Sequence, residues 1–492
     1  MTAAAGAAAA ASGLAFGEPI DLDLSRAWLV DPVSGREGPG EIVVRGGVLE
    51  ALTWLDGTDA DGVDDRGVIV VPGFTDLHAH FREPGNEDAE TIATGLAAAA
   101  HGGFTRVCLM PDSSPPLDDP AVLARIAAAH AASGSPVALR AFGAITAGLA
   151  GEQLALLGEL ADAGVAGFSE DGASMRSASL LANALAYAGM LGLPVVDHAD
   201  EPSLSHGAEA ADGLVATVLG LRGQPAAAEA SGVARDIQVL AEVIRDVPGA
   251  RLHLAHLSTA ESVDLVRRAK RSGLPVTCDV TPHHLALSDE WVAGSRRLAW
   301  DAIDADGVAR DPWRDGAITG PPFDPSVRVD PPLRSPVDAA ACLAGLLDGT
   351  IDAVATDHAP QREVDKAVEF GLAAGGIAGI ETALGLLLAA VDAGRLPLRR
   401  ALAALTMGPS AVLSAELPGR DDPRPAAGGA AAGGLVVGEP ADLVVFDRSE
   451  RWRVTPDSLR SKAKINPLLG WELAGRVLFT VAGGRLAFAD PG

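Results

Sequence analysis

Two histidines separated by one residue, His78 and His80 in FTDLHAH, are the first residues along the chain that could hold a metal ion. Strand side chains alternate with period two, so on a strand both rings project from the same face. An HxH alone fits core or surface pairing as well as it fits ligation. Later runs add His198 in VVDHADE, His256 in HLAHLST and Asp357 in VATDHAP, each at the C-terminal end of an apolar β-type run. Nitrogen and oxygen donors without thiolate suit Zn²⁺, with Mn²⁺ or Fe²⁺ as alternatives, and a second ion needs a carboxylate shared between the two. SEDG at 169–172 offers that carboxylate, with Asp171 as the choice and Glu170 as its competitor, because neighbours on a strand point to opposite sides. Two such ions, about 3.5–4 Å apart, acidify a shared water toward neutral pH, which is hydrolytic chemistry.

Bringing these residues to one rim requires strands that end together. Eight apolar runs alternate with Ala/Leu-rich helical segments: VPGFTDLHAH, TRVCLMP, VALRAFGAI, VAGFSEDG, LPVVDHAD, RLHLAHLS, PVTCDVTPHH and IDAVATDHAP. Eight is the number that closes a (β/α)₈ barrel of the TIM type, whose active sites lie at the C-terminal strand ends. A doubly wound sheet is the fallback, but it does not explain polar residues at so many strand ends. The barrel is expected over 72–415. Strand-rich flanks at 17–71 and 435–492 are expected to meet in a small composite β-sandwich, joined through a Gly/Ala/Pro-rich linker at 416–434 and preceded by a disordered Ala-rich tail at 1–16. The Asp/Gly-rich segment 293–326 breaks the rhythm and reads as a lid or a disordered insertion, the lid being favoured.

Taken in order, FTDLHAHFREPG, GFSEDG, HLSTAES, VTPHHLALS, PPLR, DGTIDAVATDHAP and GWELAGRV resemble the dihydroorotase branch of the amidohydrolases, from about Val71 to Val477. The resemblance implies two zinc ions held by His78, His80, Asp171, His198, His256 and Asp357, with Asp357 also the catalytic proton shuttle. It implies a metal-bridging hydroxide attacking a cyclic amide, so that N-carbamoyl-L-aspartate and dihydroorotate interconvert in pyrimidine (UMP) biosynthesis. Arg82 matches the position that binds the substrate carboxylate, and a guanidinium fork suits that role. Related hydantoinases and allantoinases usually bridge their metals with a carboxylated lysine, and the fourth run here offers none.

The substrate-binding positions depart from the family pattern. Asp112 and Asp330 stand where it has asparagine, and Gln361 where it has histidine. An ionised Asp beside a substrate carboxylate repels it by about 1 kcal/mol or more. Either Arg82 offsets this, or the two acids point away or are protonated, or the enzyme resembles a dihydropyrimidinase or allantoinase. A catalytically dead scaffold for aspartate transcarbamoylase is a further alternative, although such barrels tend to lose ligands. His283 and His284 are expected to be structural or to line the pocket, and His358 to support a ligand from behind. His101, His130, His206 and His253 receive no function.

Lys+Arg 38 against Asp+Glu 65 gives a net charge of −27, which disfavours nucleic acid and anionic membranes. Cys108, Cys278 and Cys342 lack CxxC spacing, which fits a reducing cytoplasm. The Ala-rich start has no Lys or Arg before its apolar run, unlike a secretory signal. A small-molecule substrate and the default homodimer complete the expectations.

Overall fold

The computed structural model describes residues 16–413 and 433–490. The expected tail and linker therefore lie outside the described residues except for Phe16, Gly433 and Gly434.

The chain starts as β1 (Leu22–Asp31), β2 (Arg36–Arg45), β3 (Val48–Trp54) and β4 (Val68–Pro72). Between β2 and β3, Gly46 and Gly47 take φ of 54° and 82°, the left-handed pair that a two-residue hairpin requires. The barrel then runs through β5 (Phe74–Ala79), β6 (Phe104–Leu109), β7 (Ala138–Ala141), β8 (Gly143–Ala144), β9 (Phe168–Ser169) and β10 (Val195–Asp197). After a two-strand excursion, β11 (Ala210–Ala211) and β12 (Gly223–Gln224), it resumes with β13 (Leu252–Leu254), β14 (Val276–Val280) and β15 (Ala353–Val354). The chain returns as β16 (Leu443–Arg453), β17 (Glu472–Ala482) and β18 (Arg485–Ala489).

Both flanks build one seven-stranded ladder, ordered β18-β17-β16-β4-β1-β2-β3, which forms the small β-sandwich. β4 and the strand beside it, β16, form the wall between two cores, and the period of two decides which residue serves which. Ile69, Val71, Val444 and Phe446 face the barrel core, while Val68, Val70, Leu443 and Val445 face the sandwich core with Leu29, Ile42 and Val481.

The third barrel strand is split around Phe142: β7 pairs with β6, and β8 pairs with β9. All the barrel ladders are parallel, and the ring closes through the bridge Ala79↔His358 and the bond from His80 N to His358 O at 2.8 Å. Helices return the chain between strands, and their starts are written locally. Thr91, Asp119, Ser177, Thr259 and Ser335 each accept a backbone N–H at a helix N-terminus.

The segment 293–326 is neither disordered nor a cover over the metal-ligand cluster. None of its residues lines that cavity. It is stitched to itself by the bridges Ser295↔Ile318 and Ile303↔Ala309, and its base is tied by Arg297, which grips Glu290 through two bonds of 2.7 Å. Buried Lys366 donates to Pro325 O at 3.0 Å and Arg328 O at 2.9 Å, pinning the far end. Lys366→Ala is expected to make 293–328 the first site of thermolysin cleavage, with turnover of the folded enzyme unchanged; a digestion pattern identical to wild type would sink this reading.

Candidate metal centre

Six donor side chains from five barrel strands meet at the C-terminal rim. His78 is the penultimate residue of β5 and His80 follows the strand; Asp171, His198, His256 and Asp357 lie one to three residues beyond β9, β10, β13 and β15. Asp171 is central: Oδ2 lies 3.2 Å from His78 Nε2 and 3.5 Å from His80 Nε2, while Oδ1 lies 3.4 Å from His198 Nδ1 and 3.6 Å from His256 Nε2. Two donor triads, His78/His80/Asp171 and Asp171/His198/His256, therefore share one carboxylate. Asp357 Oδ1 stands 3.4 Å from His80 Nε2 and 3.8 Å from His78 Nε2. Glu170 faces away, taking Thr146 N at 2.9 Å and the Thr146 hydroxyl.

The donors fit divalent ions better than they fit one another. The His78 and His80 Nε2 atoms face each other at 3.2 Å, and buried Asp171 Oδ1 has no hydrogen-bond partner. Burial alone would lower the pKa of His80 and His198, yet facing carboxylates push both up to about 10, Asp112 acting on His80 and Asp171 on His198. Burial would likewise raise Asp171, but His78, His198 and His256 hold it well below the usual carboxylate range. The cluster thus attracts cations into its centre, protons when no metal competes. Backbone geometry is distorted at the same place, with φ of 60° at Arg82, 38° at His256 and 46° at Asp357.

The positions that depart from the family pattern separate here. Asp112 is neither turned away nor protonated: Oδ1 is 2.8 Å from His80 Nδ1, Oδ2 accepts from Arg82 Nη1 at 2.8 Å, and these cations lower its pKa against the effect of burial. It does not stand as a free repelling charge, because both its oxygens are occupied by cationic or polar partners. Arg82 also donates through Nε to Pro360 O at 3.2 Å. Asp330 is exposed at the mouth of the same cavity, a space of about 280 Å³ that includes Arg82, Asp112 and all six donors. Gln361 lies outside it, donating to Gly375 O at 2.6 Å and lining a neighbouring hollow that shares Arg82.

Several positioning residues escaped the sequence reading. Asp76, fully buried and pushed up to about 6 by that burial, accepts from Thr356 N at 2.8 Å, Thr356 Oγ1 at 2.5 Å and His78 N at 3.3 Å. It ties β5 to β15 across the seam. Asp279 on β14 accepts the His256 backbone N–H at 2.7 Å and pairs with His253 Nε2 at 2.8 Å, which gives His253 a place. The signal was available, since both belong to strands already assigned to the barrel. Asp279→Ala is expected to weaken metal affinity about 10–100-fold in a chelator competition, and affinity within twofold of wild type would disconnect this carboxylate from His256.

The other histidines lie outside the donor cluster. His284 bonds Thr281 Oγ1 at 2.8 Å and Pro331 O at 3.0 Å, and His130 bonds Val137 O at 2.9 Å. His283 Nε2 is buried without a partner, beside Thr356 and Asn466. His206 is exposed. His358, behind Asp357, accepts Ile380 N at 3.4 Å and lies 3.6 Å from Glu90, whose carboxylate also takes Ser461 Oγ at 2.5 Å and Lys462 N at 3.1 Å. No helix among the described residues is long and apolar enough to cross a membrane.

Comparison with known proteins bears on the family and the fold. Residues 67–262 match the family described as Dihydro-orotase-like. A dihydroorotase of Anaeromyxobacter sp. (strain K) is 42% identical over 468 residues, covering 94% of this chain and 96% of its own. One from Pelotomaculum thermopropionicum is 40% identical over 464 residues, covering 94% and 97%. Among solved structures, the L-hydantoinase (dihydropyrimidinase) of Arthrobacter aurescens superposes with a TM-score of 0.73 at 22% identity, covering 96% of each chain. The dihydropyrimidinase of Brevibacillus agri NCHU1002 gives 0.71 at 19%, covering 96% of this chain and 95% of its own. At such identity these two speak for a shared fold, a barrel carrying a β-sandwich, whereas the full-length relatives at about 40% speak for descent: the chain belongs to the dihydroorotase family.

Proposed function

We propose that this chain interconverts N-carbamoyl-L-aspartate and dihydroorotate, the cyclisation step of pyrimidine biosynthesis, with two zinc ions held by His78, His80, Asp171, His198, His256 and Asp357. The observation that carries the reading is the pair of donor triads sharing Asp171 within one cavity that also contains Arg82. When bound, two divalent ions supply an acidified water and polarise the amide carbonyl. Asp357 then takes the proton released as the water adds, and returns it to the departing ring nitrogen. Arg82, held by Asp112 and Pro360 O, keeps further N–H groups for the substrate carboxylate. Asp112 fixes the His80 ring so that Nε2 faces the ions.

Charge supports an anionic substrate. Four carboxylates and one guanidinium line the cavity, and two dications reverse that negative balance. Asp330, which makes no side-chain hydrogen bond or ion pair among the described residues, favours a second reading in which an uncharged ring such as a hydantoin is hydrolysed. The full donor set argues against a dead scaffold for aspartate transcarbamoylase. A cytoplasmic homodimer is the assembly and location we assign to the enzyme.

The test is turnover of carbamoyl-aspartate, dihydroorotate and a neutral hydantoin by one purified sample whose metal content is measured. Interconversion of the first two at about two ions per chain is expected. Hydrolysis of the hydantoin alone would move the substrate class, and less than one ion per well-folded chain would favour the scaffold.

A further inference from the structure

A second cavity, about 370 Å³ and larger than that around Asp171, lies in the seam between barrel and sandwich. Its walls carry four arginines: Arg451 and Arg453 on β16, Arg476 on β17, and Arg460 on the connecting loop. Arg453 is taken by Glu472 at 2.7 Å, and Arg476 by Glu450 at 3.3 Å and by Asp490. The Arg451 and Arg460 side chains have no partner among the described residues. The buried acid of the cavity, Glu381, is already used by His101 Nδ1 at 2.5 Å, Arg460 N at 2.6 Å and Ser461 N at 3.1 Å. In a chain of net charge −27, a concave site with two uncompensated guanidiniums is a local positive focus.

The same walls are aromatic. The His101 ring stands edge-on between Trp452, 5.9 Å away by centroids, and Phe488, 4.9 Å away. All three line the cavity at interplanar angles of 68° and 65°, so inclined aromatic ring surface lies beside the free cations. Guanidiniums match phosphate oxygens two at a time, indole and imidazole faces accept a planar ring, and the volume suits a small organic ligand.

We propose that this seam cavity binds a phosphorylated anion bearing a planar ring, of mononucleotide size, with its phosphate on Arg451 and Arg460 and its ring against Trp452 and His101. The site is separate from the metal centre and needs no reacting group. Isothermal calorimetry of the metal-loaded full chain tests it with UMP, AMP, ribose 5-phosphate and inorganic phosphate. At least one nucleotide is expected to bind more tightly than about 1 mM, with ribose 5-phosphate and phosphate about tenfold or more weaker. The double variant Arg451→Ala/Arg460→Ala is expected to weaken that nucleotide about tenfold or more, while KM and kcat for dihydroorotate stay at wild-type values. The proposal is overturned if neither nucleotide binds below about 1 mM, if the ring-free anions bind as tightly, or if the double variant binds as wild type does, which is how a ligand sitting on the metal ions would behave.

Discussion

Asp357→Asn is expected to lower kcat about 10²–10⁴-fold in both directions of the reaction while two ions stay bound per chain. Asparagine keeps the size of the side chain and one carbonyl oxygen, so the place beside His78 and His80, 3.8 and 3.4 Å away, remains filled. What disappears is a carboxylate that facing imidazoles hold ionised against its burial, and with it the group proposed to accept and return the proton. Parallel measurement of kcat and metal content separates this loss from simple loss of an ion. A variant within tenfold of wild type, metals in place, would remove Asp357 from the proton path.

Asp171→Ala is expected to act earlier, on loading itself. This carboxylate is the only member common to both donor triads, so its removal takes a ligand from each at once. Metal content should fall from about two ions to below one, with turnover falling in step. Wild-type chain in ion at 100–1,000 times Kd gains about 2.7–4.1 kcal/mol of stability from mass action, and the variant should lose most of the corresponding rise in Tm. Titration of Zn²⁺ into metal-stripped samples of both proteins, followed by thermal unfolding, reads this directly. Two ions retained at wild-type affinity would mean that the imidazoles suffice.

The parts of the fold and site that could be read from the sequence were those governed by short-range periodicity. His78 and His80 are two apart on a strand, and the strand's own alternation sends both rings to one side. Eight apolar runs, most of them ending in polar residues, carried the barrel, and strand-like runs at both flanks carried the composite sheet. What could not be read depends on partners distant in the chain. Asp112 looked like an unwanted charge until Arg82 and His80, thirty and thirty-two residues upstream, proved to hold both its oxygens. The segment 293–326 looked like a lid because its anchor, Lys366, follows about forty residues later. His253 looked idle because Asp279, which links it to His256, lies on the next strand. The break at Phe142 leaves no mark in a continuous run such as VALRAFGAI.

The bonds behind His358 bear on how the protein is made. Glu90 is completely buried; Oε1 accepts from the nearby Thr91 N and the Thr94 hydroxyl, whereas the hydrogen bonds to Oε2 come from Ser461 and Lys462 at the far end of the chain. Without them one carboxylate oxygen would be sealed beneath the metal-binding mouth without its hydrogen bonds, at a cost of about 1–3 kcal/mol or more. A nascent chain still lacking those residues has every proposed ligand synthesised but the floor of the site without part of its support.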